Sequence, residues 1–215
     1  MEKLHLDILD QERKNIFQKL SAFRSIGYLS GGTALALQLG HRVSYDFDIF
    51  CAKEIPAMFA AKVQKEIVVR QVLVNNSDEF TFLTDHDIKV SFIFYPFDLK
   101  KYVFEFPDVP MELISPLGIA ITKAYALNRR NAWRDYVDLY VILKKEITTL
   151  ENIVNAARIA YGELFNEKLF LSQLLYTQDI SKAEIENTQM LESATLFEVV
   201  SFFEKEVKAY WERKL

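Results

Sequence analysis

Gly31-Gly32-Thr33-Ala34-Leu35-Ala36-Leu37-Gln38-Leu39-Gly40, followed closely by Tyr45-Asp46-Phe47-Asp48-Ile49-Phe50, is the stretch on which the fold turns. The glycine pair breaks the chain, residues 33–39 have helical composition, and Gly40 supplies the stop. Residues 45–50 alternate large apolar residues with carboxylates, the pattern of a half-buried strand. Asp46 and Asp48 therefore share a face, roughly 6–7 Å apart along the backbone. Upstream, Gly27-Tyr28-Leu29-Ser30 is a short apolar run. The order is strand, glycine turn, helix, strand.

Two carboxylates this close repel unless a cation lies between them, and Mg2+ is the hard ion that such a pair plus substrate phosphates would hold. Glycines at a turn let backbone N–H groups approach phosphate oxygens, and a helix starting there aims its positive end the same way. Alone, the aspartates fit a solvated strand face and the glycines fit a simple chain reversal. In succession, they point to polyphosphate handling.

Outward from this stretch, residues 6–24 carry apolar residues at helical spacing, which predicts an amphipathic helix. Pro56 suits the start of a helix through about residue 66, and residues 67–74 have strand composition. Residues 80–84 and 88–95 predict a strand pair around the turn Asp85-His86-Asp87. From Ser115-Pro116 onward the period becomes helical, with helices over about 115–128, 132–145 and 149–165. The final stretch sets Leu196, Val199, Val200, Phe203, Val207, Tyr210 and Trp211 on one stripe. Phe106-Pro107-Asp108-Val109-Pro110 has linker character, which divides the chain into an α/β domain, 1–108, and a helical domain, 109–215.

With 50% apolar residues, 17 Phe and 10 Tyr, the chain can bury a sizeable core. Cys51, the single cysteine, excludes an internal disulfide and reads as a small core residue. The N-terminus has scattered charges and no apolar run, which points to the cytoplasm and to no membrane partner. A net charge of −4 excludes nucleic-acid binding through an overall positive field. Lys123, Arg129, Arg130 and Arg134 form a local basic run that fits phosphate binding or a solvated helix face.

The string from Gly31 to Arg42, with Ser44, Asp46 and Asp48, resembles the nucleotidyltransferase superfamily, and within it the AbiEii/AbiGii abortive-infection toxin family. Lys123, Arg129 and Arg134-Asp135-Tyr136-Val137-Asp138-Leu139-Tyr140 resemble that family's helical Lys and Arg-Asp-x-x-Asp-Leu segments, in the same order. The resemblance spans most of the chain and is diffuse beyond residue 145. It implies an α+β fold: a nucleotidyltransferase-like mixed β-sheet with flanking helices, followed by a C-terminal helical bundle. It also implies an enzyme that moves a nucleotide from a nucleoside triphosphate to a hydroxyl acceptor such as the tRNA 3′ end, as the toxin of a toxin–antitoxin pair. Asp46 and Asp48 would be catalytic and hold Mg2+. Gly31, Gly32, Thr33, Ser44 and Lys123 would bind the nucleotide, and a cognate antitoxin would be the protein partner.

The pattern departs at one place. Active members of the superfamily usually carry a third carboxylate on a later strand, and here Lys89-Val90-Ser91-Phe92 puts Ser91 where it is expected. A serine hydroxyl is a poor base at neutral pH and a weak Mg2+ ligand. The alternative is therefore a catalytically weakened or inactive nucleotidyltransferase fold that binds nucleotides or a partner. Asp85 or Asp87 would substitute only if the hairpin turn folds over the site. For Arg134, Asp135 and Asp138, the favoured reading is a structural network that also orients Lys123.

Overall fold

The computed structural model describes residues 4–107 and 109–214. The chain divides into two compact units, Met1–Ser115 and Pro116–Leu215. Asp108, where the sequence reading sets its boundary, lies outside the described residues, as do the first three residues of the N-terminal segment read for a leader.

The first unit runs α1 (Gln11–Lys19), β1 (Gly27–Ser30), α2 (Gly31–Leu39), β2 (Phe47–Cys51), α3 (Phe59–Val63), β3 (Val69–Asn75), β4 (Glu79–Thr84), β5 (Lys89–Phe94), β6 (Val103–Phe104) and β7 (Leu113–Ile114). The strands form one sheet in the order β3-β4-β5-β2-β1-β7-β6. It is mixed: β2 runs parallel to β5 and β1 to β7, and the other pairs are antiparallel. The short β6 and β7 straddle the proline pair and rejoin this sheet, so the division falls at Ser115/Pro116 rather than near residue 108.

Residues 6–24 do not form one helix. A 3-10 turn at Leu6–Ile8, α1, and a second 3-10 turn at Leu20–Phe23 take their place. Asp10 causes the break: its carboxylate accepts the Arg13 N–H at 2.8 Å and caps α1 afresh. The apolar side chains still reach one core. Phe17 stacks on Phe47 at 6.1 Å, Phe23 meets Phe92 edge-on at 5.1 Å, and Phe59 packs on both Phe80 and Phe92. Leu29, Phe47, Ile49, Val90, Phe92, Phe80 and Phe82 are all fully buried. By register they occupy one face of the sheet. The opposite face of the same strands carries Ser30, Asp48 and Ser91.

The second unit contains α4 (Pro116–Leu127), α5 (Trp133–Lys144), α6 (Leu150–Tyr161), α7 (Glu167–Gln173), α8 (Lys182–Glu186) and α9 (Leu196–Glu212). Thr195 opens α9 with a reciprocal capping box to Glu198. Val199, Phe203, Val207 and Tyr210 form its buried stripe, and Trp211, read as part of that stripe, is 38% exposed. The fold is an α+β mixed sheet with flanking helices and a helical C-terminal unit. Among the described residues, no helix is long and apolar enough to cross a membrane.

Candidate active site

β1 and β2 are antiparallel with Ser30 opposite Asp48, so the end of β1, the start of α2 and the start of β2 meet. The helix begins at Gly31 itself, two residues before the sequence reading starts it, with Ser30 extended and Gly31 at φ +67°. This left-handed turn brings the backbone against a carboxylate: a Cβ on Gly31 would lie 2.7 Å from Asp48 Oδ2. A Cβ on Gly32 would lie 2.0 Å from Nη2 of Arg42, whose side chain is almost wholly buried. The glycine pair therefore admits a carboxylate on one side and a guanidinium on the other.

Asp46 lies just before β2, and its position is held from three sides. Its carbonyl accepts the Thr33 hydroxyl, and that hydroxyl also bonds Ser44 Oγ at 2.8 Å. Arg13 donates to the Tyr45 carbonyl at 3.1 Å and lies over the Tyr45 ring. Lys89 Nζ stands 3.1 Å from Asp46 Oδ2, with both side chains partly exposed. The segment His41-Arg42-Val43-Ser44, polar in sequence, is folded inward: His41, Arg42 and Ser44 are buried. Arg42 Nη1 donates to the Val43 carbonyl at 3.0 Å.

The parallel register of β2 and β5 sets Asp48 beside Ser91, and the antiparallel register of β5 and β4 sets Ser91 beside Thr81. A row of Ser30, Asp48, Ser91 and Thr81 therefore crosses the sheet at strand spacings of about 4.8 Å. Ser91 stands on the strand neighbouring Asp48, where a third carboxylate would project. Ser30 Oγ is fully buried with no hydrogen-bond partner. Two carboxylates with serine oxygens on either side of Asp48 make an all-oxygen donor set, which fits a hard divalent cation such as Mg2+. Asp87 pairs with Arg70, and Asp85 faces His86 at 3.8 Å.

Of the residues predicted for the site, Gly31, Gly32, Thr33, Ser44, Asp46 and Asp48 come together in the first unit. Lys123 belongs to the second, where its ammonium lies 2.5 Å from Asp135 and 3.0 Å from Asp138 and is 7% exposed. Burial pushes the Asp135 carboxyl up, but the charges and hydrogen bonds of Lys123 and Arg130 outweigh it and hold its pKa below the usual range. The basic run divides rather than gathering: Arg130 bonds Asp135, Arg129 lies over the Tyr125 ring, and Arg134 is exposed. Lys123 of α4 thus ties to Asp135 and Asp138 of α5, and Arg130, from the loop between the two helices, adds a second cation at Asp135 where Arg134 was expected. Cys51 is buried and its thiol is pushed up to about 11 by burial, so it supplies no nucleophile at neutral pH.

Arg42 and Lys89 are the site residues that sequence reading missed. Lys89 was findable: it stands two before Ser91 on an alternating strand, so it shares that residue's face.

Residues 17–199 match the family model described as the nucleotidyl transferase AbiEii toxin of a Type IV toxin–antitoxin system. An uncharacterised protein of Aquifex aeolicus is 30% identical over 188 residues, which cover 86% of this chain and 88% of that protein. Among solved structures, MenT4, a nucleotidyltransferase toxin of Mycobacterium tuberculosis, superposes with a TM-score of 0.57 at 15% identity, over 91% of this chain and 80% of its own. JHP933 of Helicobacter pylori superposes with a TM-score of 0.55 at 16% identity, over 96% of each chain. At these identities the structural likenesses carry the fold.

Proposed function

The chain belongs to the AbiEii nucleotidyltransferase toxin family, and we propose that it moves a nucleotide from a nucleoside triphosphate to a hydroxyl at the tRNA 3′ end, in the cytoplasm, as the toxin of a pair with a cognate antitoxin. The observation that carries this reading is the contact of the Asp48 carboxylate with the left-handed Gly31 at the start of α2. It sets an acidic face beside backbone N–H groups at a helix N-terminus, the two devices that a metal-bound triphosphate needs.

Asp46 and Asp48 would hold Mg2+, which when bound neutralises charge on the triphosphate and favours attack at phosphorus. The N–H groups of Gly31 and Gly32 receive phosphate oxygens. Thr33 and Ser44 serve the nucleotide indirectly, by fixing the Asp46 backbone to α2. Lys123 is assigned to the triphosphate on the family resemblance, with Asp135 and Asp138 orienting its ammonium. The acceptor oxygen bonds the α-phosphorus, the bond from that phosphorus to the bridging oxygen breaks, and pyrophosphate leaves. Ser91 is a poor base, so the acceptor proton passes to water.

The second reading, a weakened or inactive enzyme that binds nucleotides, is favoured by Ser91 beside Asp48 and by Lys89 on Asp46. Incubation with each α-32P-labelled nucleoside triphosphate, Mg2+ and total tRNA separates the two. Label on tRNA that disappears in Asp46→Asn and Asp48→Asn supports transfer. Binding of nucleotide with no transfer to any acceptor supports the second reading.

A further inference from the structure

Beyond the aspartates, the same sheet face turns aromatic. Two residues on from Asp48 along β2 comes Phe50, two before Ser30 on β1 comes Tyr28, and the alternation of Ser91 and Ile93 on β5 continues to Tyr95. Tyr95 extends that strand's pairing through its N–H, which donates to the Cys51 carbonyl at 2.8 Å. Phe50 and Tyr95 stack at 4.2 Å with an interplanar angle of 14°, Tyr28 meets Phe50 edge-on at 6.2 Å, and Phe97 meets Tyr95 at 5.3 Å. These four rings line one wall of a cavity of about 350 Å³. That volume is at the small end of the range in which proteins hold small organic ligands.

The charges at this cavity say what it does not take. Arg24 and Lys100 line it, but so do Asp98 and Glu112, and Arg24 is already paired with Glu105. Two cations matched by two carboxylates give no net attraction for a polyphosphate, and a single metal ion has no use for four aromatic rings. A flat, neutral heterocycle does: it extends the ring stack, and its exocyclic amino groups donate to carboxylate oxygens. Each step of two residues along a strand covers about 6.6 Å; Phe50 is one such step from Asp48, and Tyr95 is two from Ser91, so a base held against these rings stands about 7–13 Å along the sheet from the Asp48 and Ser91 row.

We propose that this cavity is a nucleobase site, stacking one base of the substrate on the ring system of Phe50, Tyr95 and Phe97 while its sugar and phosphates lie toward the aspartates. The proposal deepens the transfer reading, which supplies its biological sense, but base binding itself needs neither metal nor turnover. The base belongs to the acceptor strand or to the triphosphate, and the two sources separate by experiment.

The test is fluorescence anisotropy of a labelled single-stranded RNA hexamer, and of hexamers each lacking one base, in EDTA. Calorimetric titration of each nucleoside triphosphate without metal runs beside it. In the wild type, removal of one particular base weakens hexamer binding about tenfold, as loss of one stacking contact does. Tyr95→Ala loses the same factor on the intact hexamer and no longer discriminates the abasic one, whereas Tyr95→Trp keeps both properties. If Tyr95→Ala does not melt as a folded protein, Phe97→Ala, another residue of the lining, carries the same comparison. A defect in triphosphate binding in place of hexamer binding assigns the base to the donor and still supports a nucleobase site. Unchanged binding of both probes in folded Tyr95→Ala and Phe97→Ala overturns it, as does a wild type that binds neither probe. Base binding is read in EDTA, where transfer does not run, so failure of transfer chemistry and failure of the base site give different results.

Discussion

Replacing Gly31 by alanine tests the centre of the site with a single methyl group. Two separate penalties arise. At φ +67° an L-residue is about 1–2 kcal/mol worse than glycine. The added Cβ also falls 2.7 Å from Asp48 Oδ2, so the carboxylate must retreat by something under an ångström. For a chain of this size, 1–2 kcal/mol lowers the melting temperature by roughly 2–8 °C. A carboxylate displaced by that much reduces transfer by about 100-fold. The two penalties separate in a cycle with Asp48→Ala: the conformational part persists when the carboxylate is gone, and the contact part vanishes. Thermal melts of the four proteins separate the penalties, and initial rates of label transfer compare Gly31→Ala with the wild type. A Gly31→Ala protein that melts lower yet transfers within about threefold of wild type would show that Gly31 and Asp48 are not jointly part of the catalytic site.

Other outcomes follow from the same geometry. Ser91→Asp restores a carboxylate beside Asp48 and lowers the Mg2+ concentration for half-maximal nucleotide binding by about tenfold, because it adds one charged ligand to the set. Lys89→Met frees Asp46 from its ion pair, so the Mg2+ requirement also falls, by about two- to threefold given how exposed that pair is; calorimetric Mg2+ titration checks both variants. Lys123→Met leaves Asp135 and Asp138 buried without their ammonium, which costs about 3–5 kcal/mol of second-unit stability in urea melts. Asp135 titrates below its ordinary value in the folded protein, so its stabilising contribution is complete above about pH 4 and is lost as pH falls through the depressed value. Both tryptophans, Trp133 and Trp211, lie in the second unit, so intrinsic fluorescence follows this acid limb. Lys123→Met shifts it to higher pH.

The strand, glycine turn, helix and second strand around Asp46 and Asp48 were legible because each is written in local periodicity and turn chemistry. The same holds for α4 to α6 and for the buried stripe of α9. What escaped depends on contacts made far along the chain. The strands β6 and β7 are two residues each and exist only because β1 offers an edge to pair with. The leading helix broke at Asp10 because a capping interaction outweighed a continuous apolar period. Arg42 reads as a polar loop residue, and only the packing against Gly32 explains its burial. Ser91 was recognised as a departure, but its place beside Asp48 comes from the parallel register, which no spacing in sequence encodes. Lys123 shows the reverse: its importance was legible, and its partners Asp135 and Asp138 were identified, but Arg130 rather than Arg134 completes the cluster.

Asp46 and Asp48 together are expected to hold a divalent ion for a nucleoside triphosphate. Electron paramagnetic resonance of free Mn2+, titrated with protein in the presence of a non-hydrolysable triphosphate analogue, measures this directly. Wild-type protein is expected to remove Mn2+ from solution in proportion to the nucleotide bound. Asp46→Asn and Asp48→Asn, folded by their melting curves, are each expected to release it, with affinity falling at least about tenfold. Equal Mn2+ uptake by wild type and both variants would contradict a joint metal-holding role for Asp46 and Asp48.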